Sequence, residues 1–338
     1  MKTKVFLTGA GGAVGIHMLA HIFHNTDWDV VATDSFRHKG HSDRIAEMLK
    51  DHTDWRPRLE VITHDLNAPF TGREITKFGR ITYIINLASL SDVQLSIDDP
   101  VPTVRNNVEL MLNVLEIARL VKPKVFLHFS TDEVYGPALK NSKGHKEWSA
   151  IVPSNPYSAS KAAQEALAIA WWRSYDVPVV ITNTMNNFAE MQGYTKFPAM
   201  IQQKIAKGET IKVHVSSDGQ IGTRYYIHSR NAADAVLFIL KNIPVVMHGS
   251  GEIDRPLRFN IVGDKQVSNL ELVETIGKLM GKEPKYQLEN FHGTNPGHDL
   301  HYGLDGSNLA EWGWTPPMTF EESLDNTIQW QQDHPDWL

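Results

Sequence analysis

The feature that most limits what this chain can fold into is an alternation. Short apolar, β-branched runs at 4–8, 29–33, 59–63, 82–86, 124–129 and 178–183 read as strands, and segments of helical period at 13–24, 41–50, 100–119 and 155–175 read as helices between them. Such alternation is the pattern of βαβ units, so a parallel sheet with helices on both faces is predicted. The runs read as strands buried on both sides. The helix starting near Ser154 has Pro156 just inside it and an apolar stripe at Ala159, Ala163, Leu167 and Ala170. It ends at Asp176-Val177-Pro178, because proline cannot continue a helix.

The first strand runs directly into Gly9-Ala10-Gly11-Gly12-Ala13-Val14-Gly15 and then a helix. Glycines at 9, 12 and 15 permit a tight turn and let the backbone approach a pyrophosphate, which then sits on the helix N-terminus among free amides. At the start of a βαβ unit this reads as a dinucleotide site, with Gly9, Gly12, Ala13, Val14 and Gly15 as its contacts. The second strand ends at Asp34, nineteen residues past Gly15. A carboxylate there accepts from the adenosine ribose and repels a 2′-phosphate, so NAD is favoured over NADP; Arg37 and His38 lie close enough to bear on that choice. Asp65 and Leu66, after the third strand, read either as adenine contacts or as a plain loop. Leu87 and Ala88, after the fourth, complete the expected cofactor contacts.

The predicted fold is therefore a Rossmann-type doubly wound parallel sheet with a smaller, discontinuous α/β substrate-binding domain. Residues 1–187 form the NAD-binding domain and 188–338 mainly the substrate-binding one. Segments near 225–245 and 300–315 are expected to return to the first. In the second part we read a helix at 198–207, a strand at 211–215, a helix at 229–242, a strand at 258–262 and a helix at 268–280.

Composition narrows the function. The 338 residues are 41% hydrophobic and 21% charged, which supports a real core and excludes wholesale disorder. A net charge of -6 without a long basic run argues against a nucleic-acid scaffold and a polybasic membrane anchor. With no cysteine, disulfides, thiolate metal sites and cysteine nucleophiles are excluded. The 16 histidines are scattered without an HExxH pair, so no metal site is expected. The opening MKTKVFLTGAGG has too brief an apolar stretch for a signal-peptide core, and no run of about 18 apolar residues occurs. A soluble cytoplasmic protein is expected.

The fifth strand delivers Ser130-Thr131-Asp132-Glu133-Val134-Tyr135-Gly136 at a carboxyl end, the edge where open α/β sheets bind ligands. Tyr157 and Lys161 follow on a helix at i,i+4, so they point the same way. A phenol of pKa about 10 is a poor base, but the Lys161 ammonium and an oxidised nicotinamide both stabilise its phenolate, letting Tyr157 take a hydroxyl proton.

These motifs resemble an extended short-chain dehydrogenase/reductase, and within that superfamily the dTDP-glucose 4,6-dehydratases. The resemblance covers nearly the whole chain and is carried by LTGAGGAVG (7–15), STDEVYG (130–136), PSNPYSASKA (153–162), TNTMNNF (182–188) and PGHDLHYGLD (296–305). It implies that Tyr157 deprotonates the sugar C4 hydroxyl, Thr131 hydrogen-bonds that oxygen and Lys161 tunes Tyr157. It further implies that Glu133 removes the C5 proton and Asp132 protonates the departing C6 hydroxyl. The two neighbouring carboxylates must then begin in opposite protonation states. Asn187 matches a position lining the sugar and diphosphate pocket, and Lys196, His298 and Tyr302 read either as substrate contacts or as structural residues.

The chain also departs from the family pattern. Gly222 stands where an arginine usually follows Gln220-Ile221, with Arg224 two residues on. Asn295 replaces an arginine before the PGHD run, and Lys265 an asparagine. All three positions are expected near the substrate diphosphate or nucleotide, so Arg224 and Lys265 are candidates to restore charge there. The segment 87–95 lacks the usual glutamate, histidine and arginine. In the following helix Asn107 is kept, while Leu110 replaces a glycine. The leading reading is an NAD-dependent nucleotide-sugar 4,6-dehydratase. Its rivals are another reaction of the superfamily, 4-epimerisation or decarboxylation, and a silent NAD-binding protein. The resemblance implies a homodimer paired through helices 100–119 and 155–175, with one of Trp171 and Trp172 either flanking the interface or buried against the sheet.

Overall fold

The computed structural model describes residues 2–37, 41–139, 142–249, 254–291 and 297–337. In its first half the chain alternates β1 (Lys4–Thr8), α1 (Ala13–Asn25), β2 (Asp29–Asp34), α2 (Ser42–Lys50), β3 (Leu59–Thr63), α3 (Gly72–Lys77), β4 (Tyr83–Asn86), α4 (Val93–Asp98), α5 (Pro100–Val121), β5 (Val125–Thr131), α6 (Pro156–Tyr175) and β6 (Val179–Thr184). There follow β7 (Asn187–Phe188), α7 (Phe197–Lys207), β8 (Ile211–Val215), β9 (Thr223–Tyr225), β10 (Ile227–His228) and α8 (Ser229–Asn242). The chain closes with β11 (Leu257–Ile261), β12 (Gln266–Ser268), α9 (Asn269–Leu279), β13 (Tyr286–Asn290), α10 (Ser307–Glu311) and α11 (Phe320–Asp333).

Seven strands form one parallel sheet in the order β11-β6-β5-β4-β1-β2-β3. The order reverses between β1 and β4, which opens a crevice at their carboxyl ends. Every residue of β5 and β6 is buried, as strands covered on both faces must be. One apolar core joins the sheet to α1, α2 and α8, and a second joins its other face to α5 and α6. Thus α8 returns to the first face and β11 extends the sheet. A third core, separate from these, gathers Phe188, Ile201, Ile205, Ile211, Val213, Tyr226, Val267 and the inner faces of α9 and α11.

The predicted doubly wound parallel sheet is the observed one. β5 runs two residues further than its apolar stretch, because Ser130 and Thr131 still pair with Asn183 and Thr184 of β6. That extension puts Thr131 on the last rung of the sheet. The helix over residues 320–333 lies outside the predicted elements; its buried face mixes Ser323, Thr327 and Gln331 with Phe320, Leu324 and Ile328. Its start was written in the sequence as a capping box, Thr319 with Glu322. The same signal marks α3 at Thr71 and Glu74, a helix too short to bury any residue.

Candidate active site

The glycine loop leaves no room for a side chain at Gly9 or Gly15. A Cβ on Gly15 would lie 2.0 Å from the Gly9 carbonyl oxygen, and Gly9 itself sits at φ +69° with the Ala88 backbone 3.0 Å from where its Cβ would be. Thr8, on the last rung of β1, ties this loop to β4. Its hydroxyl donates to Asn86 Oδ1 at 2.6 Å and accepts from the amides of Leu87 and Ala88 at 3.2 Å. Leu87 and Ala88 therefore form the opposite wall of the crevice. Gly12 is the N-cap of α1 and no side chain caps it, which leaves the first-turn amides of Ala13 and Val14 open to an anion.

Asp34 stands at the end of β2, where its carboxylate also shapes the loop. Oδ2 accepts from the Gly11 amide at 3.0 Å and Oδ1 from the Phe36 amide at 2.9 Å. Arg44, buried on α2, donates to the carbonyls of Gly11 at 2.7 Å and Met191 at 3.0 Å. Asp65 pairs with Arg37 and holds the Asn67 amide, while the Leu66 carbonyl accepts from Asn113. His38 lies outside the described residues. The uncapped first turn of α1, with the Leu87 and Ala88 backbone close against Gly9, fits a dinucleotide.

At the carboxyl end of β5, Thr131, Asp132 and Glu133 are all buried, the last two in a short 3-10 turn. Thr131 Oγ1 donates to Asp132 Oδ1 at 2.9 Å, and Asp132 Oδ2 has no partner among the described residues. Burial, reinforced by the negative charge of Glu133, pushes Asp132 up to about 7. Glu133 is raised as well, first by burial and further by Asp299, but the Asn155 amide, Lys196 and Arg224 pull it back. Asn155 Nδ2 donates to Glu133 Oε2 at 3.1 Å. The two carboxylates thus differ in their surroundings: an amide donor from α6 reaches Glu133, while the second oxygen of Asp132 meets no partner among the described residues.

α6 supplies the other two groups. Asn155 caps it in a capping box with Ser158, and Pro156 occupies its first turn. Tyr157 and Lys161 are both buried one turn apart. Burial, with the charges of Glu133 and Asp132, holds the Tyr157 phenol well above its ordinary range, opposed by a hydrogen bond with Thr131. Lys161 Nζ donates to the Phe129 carbonyl at 3.0 Å, and burial brings its pKa down to about 7. The helix is anchored from α4 and α5. Ser96 Oγ accepts from the Tyr157 amide at 3.1 Å, and Asn107 donates to Ser160 Oγ at 2.8 Å while its Oδ1 accepts from the Leu90 amide.

The residues expected to meet substrate are brought together unevenly. Asn187 holds Thr184 Oγ1 and the Met185 carbonyl through its Nδ2, and its buried Oδ1 has no partner among the described residues. Ser130 Oγ and Asn186 Oδ1, like Asp132 Oδ2, are also buried without a partner among the described residues. Tyr302 is buried and carries the Arg224 guanidinium over its ring at 4.3 Å. Arg224 donates to the carbonyls of Thr223, Leu300 and Asp299, a network that locks the 297–302 segment beside Glu133. Lys196 Nζ donates to the Ser91 carbonyl, and His298 bonds Gln94 of α4, so both pin the 89–98 segment. Lys265 is exposed and pairs with Glu271 and Glu321 on α9 and α11, a surface triad that shares no partner with the catalytic cluster. Asn295 lies outside the described residues.

Sequence reasoning missed Asn155, Ser154 and Asp299. Ser154 Oγ donates to both Asp299 oxygens, at 2.8 and 2.7 Å, which ties the start of α6 to the 297–302 segment. Asn155 was findable as an N-cap residue before proline; its reach to Glu133 was not.

The sheet with its reversal point, the glycine cradle and the Tyr-Lys pair define a dinucleotide-dependent protein of the Rossmann type. The model of the NAD dependent epimerase/dehydratase family matches residues 5–250, and the chain belongs to that family. It is an NAD-dependent enzyme, as the motifs implied. The chain is 30% identical to the dTDP-glucose 4,6-dehydratase of Haemophilus influenzae across 97% of each chain. Its fold is similar to that of DesIV, a dTDP-glucose 4,6-dehydratase of Streptomyces venezuelae solved with NAD bound, with a TM-score of 0.84, 24% identity and coverage of 99% and 98%. It is similar also to a Thermus thermophilus UDP-glucose 4-epimerase solved with NAD, with a TM-score of 0.82, 22% identity and coverage of 97% and 98%. No described helix is long and apolar enough to cross a membrane.

Proposed function

We propose that this chain is a nucleotide-sugar 4,6-dehydratase, a lyase, with dTDP-glucose as the first substrate to test. The observation that carries the reading is the pair of adjacent buried carboxylates, Asp132 beside Glu133, with Thr131, Tyr157 and Lys161. Simple hydrogen exchange at C4 needs the tyrosine alone, whereas elimination of water needs an additional acid and base. When bound, NAD would supply the group that accepts hydrogen from C4 and returns it at C6. The glycine loop, Asp34, Leu87, Ala88 and Lys161 would hold it.

Tyr157 takes the C4 hydroxyl proton as the C4 carbon is oxidised to a ketone, with Thr131 hydrogen-bonded to the same oxygen. The ketone acidifies the C5 proton, which Glu133 removes. The electron pair of the broken C5–H bond rests first on the C4 oxygen as an enolate; when it moves on to form the C5–C6 double bond, the C6–O bond breaks, and the leaving hydroxyl takes the Asp132 proton and departs as water. Return of hydrogen to C6 and of a proton to C5 leaves a 4-keto-6-deoxy sugar. Burial of the cluster excludes bulk water that would compete for these protons.

In the same reading, residues 1–187, with the returning segments, bind NAD, and the part built around the third core binds the sugar nucleotide. Asn187, with its unpartnered oxygen, contacts the sugar. The enzyme works as a homodimer through the outer faces of α5 and α6, where Val101 and Ala159, Ala166 and Ala170 are exposed. Trp172 is fully buried and bonds the Val246 carbonyl, so Trp171, half-buried against Glu116, is the tryptophan available to flank that face. A monomeric mass by light scattering at micromolar concentration would exclude the dimer.

The test is to incubate the protein and NAD with dTDP-, UDP-, GDP- and CDP-hexoses in deuterated water and follow each by mass spectrometry. Loss of one water with gain of one deuterium at C5, for one nucleotide sugar, is expected. Conversion to a 4-epimer without loss of water would replace the dehydratase reading with an epimerase one.

A further inference from the structure

We infer that Asn155 is a positioning residue that holds Glu133 in its base form, through an amide whose orientation is set by the helix it caps. The inference rests on the dehydratase reading above. Asn155 is buried and its amide is fully used. Oδ1 accepts from the Ser158 amide at 2.8 Å, which makes it the N-cap of α6. A backbone N–H can be accepted only by the oxygen, so the cap fixes which end of the amide faces the cluster. The NH2 group then has two targets, Glu133 Oε2 at 3.1 Å and the Gly297 carbonyl at 3.1 Å. An NH2 can only donate, and a donor favours the carboxylate over the carboxylic acid.

The groups facing Glu133 come from several elements. They are Asp132 on its own turn, Asn155 and Tyr157 on α6, Lys196 before α7, Arg224 on β9, and Asp299 and Tyr302 on the 297–302 segment. Arg224 is spent on three carbonyls and Asp299 is held by Ser154. Among the described residues, Asn155 alone hydrogen-bonds the Glu133 side chain. The same side chain therefore starts the helix that carries Tyr157 and Lys161 and selects which of the two carboxylates is the base. It also touches the segment bearing His298 and Tyr302, so the three parts of the site meet at one amide.

Two variants separate this role from a structural one. Asp and Ser cap helices about as well as Asn, so Asn155→Ser removes the donor from Glu133 and Asn155→Asp also adds a like charge beside it. The measurement is the pH dependence of deuterium wash-in at C5, using whichever nucleotide sugar the unmodified enzyme dehydrates. This exchange needs Glu133 ionised and does not need the Asp132 proton. With the donor gone, Glu133 ionises at higher pH, so the acidic limb should move up by about one unit in Asn155→Ser and further in Asn155→Asp. The rate on that limb should fall about tenfold and recover as pH rises, with NAD affinity unchanged. An acidic limb unmoved in both variants, or an equal loss at every pH, would overturn the inference. Should Asn155→Asp fail to fold, Asn155→Ser carries the test. Absence of C5 exchange in the unmodified enzyme would instead overturn the dehydratase reading, and is seen before any variant is compared.

Discussion

Thr131 Oγ1 donates to Asp132 Oδ1 at 2.9 Å, while the other oxygen of that carboxylate is buried without a partner among the described residues. An acceptor-only group would be costly there, and a protonated one can hydrogen-bond a substrate oxygen. In the proposed mechanism Asp132 is the general acid, and burial raises its pKa to about 7. The dehydration rate should fall as pH rises through that value, because the acid form is lost. Asp132→Asn should slow loss of water by about 10²–10⁴-fold yet keep deuterium wash-in at C5, which Glu133 performs. Quenched samples analysed by mass spectrometry decide it, and equal loss of both signals would remove Asp132 from the acid role.

The cofactor cradle makes a prediction of a steric kind. In Gly15→Ala the new Cβ would meet the Gly9 carbonyl at 2.0 Å, so the loop must open. That should cost about 1–3 kcal/mol of stability and weaken NAD binding, measurable by thermal shift with and without NAD. Gly72→Ala, whose Cβ meets nothing within 4 Å, should leave NAD affinity unchanged.

Behind the active site Arg258 and Glu165 form an ion pair at 2.7 Å with both side chains nearly inaccessible. Glu165 also accepts from Asn183, and Arg258 donates to the Tyr135 hydroxyl and the Glu147 carbonyl. Glu165→Ala leaves a buried guanidinium without its counter-charge, so about 3–5 kcal/mol should be lost in urea unfolding. Arg258→Met combined with Glu165→Leu removes both charges and should cost much less.

Stability should also depend on His17. It lies buried on α1 against Glu190, and burial lowers its pKa from 6.5 to about 4. The unfolded chain takes up that proton at higher pH than the native one, so the contribution is complete above pH 6.5 and is lost as pH falls toward 4. Urea unfolding should show about 3 kcal/mol lost across this window. His17→Gln should flatten the slope. Glu190 acts with the same sign but lower down. Burial would raise it, yet the His228 hydrogen bond and the charges of His17, His228 and Arg230 hold it well below the usual carboxylate range.

Much of this protein is legible in its sequence because the signals are local. The period of apolar residues determines strands and helices, and their alternation determines a parallel sheet. The glycine triplet between β1 and α1, the Ser-Thr-Asp-Glu run at the end of β5 and the i,i+4 spacing of Tyr157 and Lys161 are each contained within about two turns of chain. Each therefore points to its chemistry without knowledge of the rest. Elements whose buried face mixes polar with apolar residues, such as α11, weaken this reading, since periodicity sees only apolar residues.

Only the tertiary structure decided how distant residues divide the work. The sequence supplies two adjacent carboxylates with no means of telling acid from base. In the proposed reading the difference arises because Asn155, twenty-two positions away, reaches one of them while the free oxygen of the other meets no partner among the described residues. The sequence offers Arg224 and Lys265 alike as substrate cations; in the fold one locks the 297–302 segment beside Glu133 and the other joins a surface ion-pair triad. Protonation and partner choice depend on burial and on contacts across the sheet edge, and neither is a property of a residue or of its neighbours in sequence.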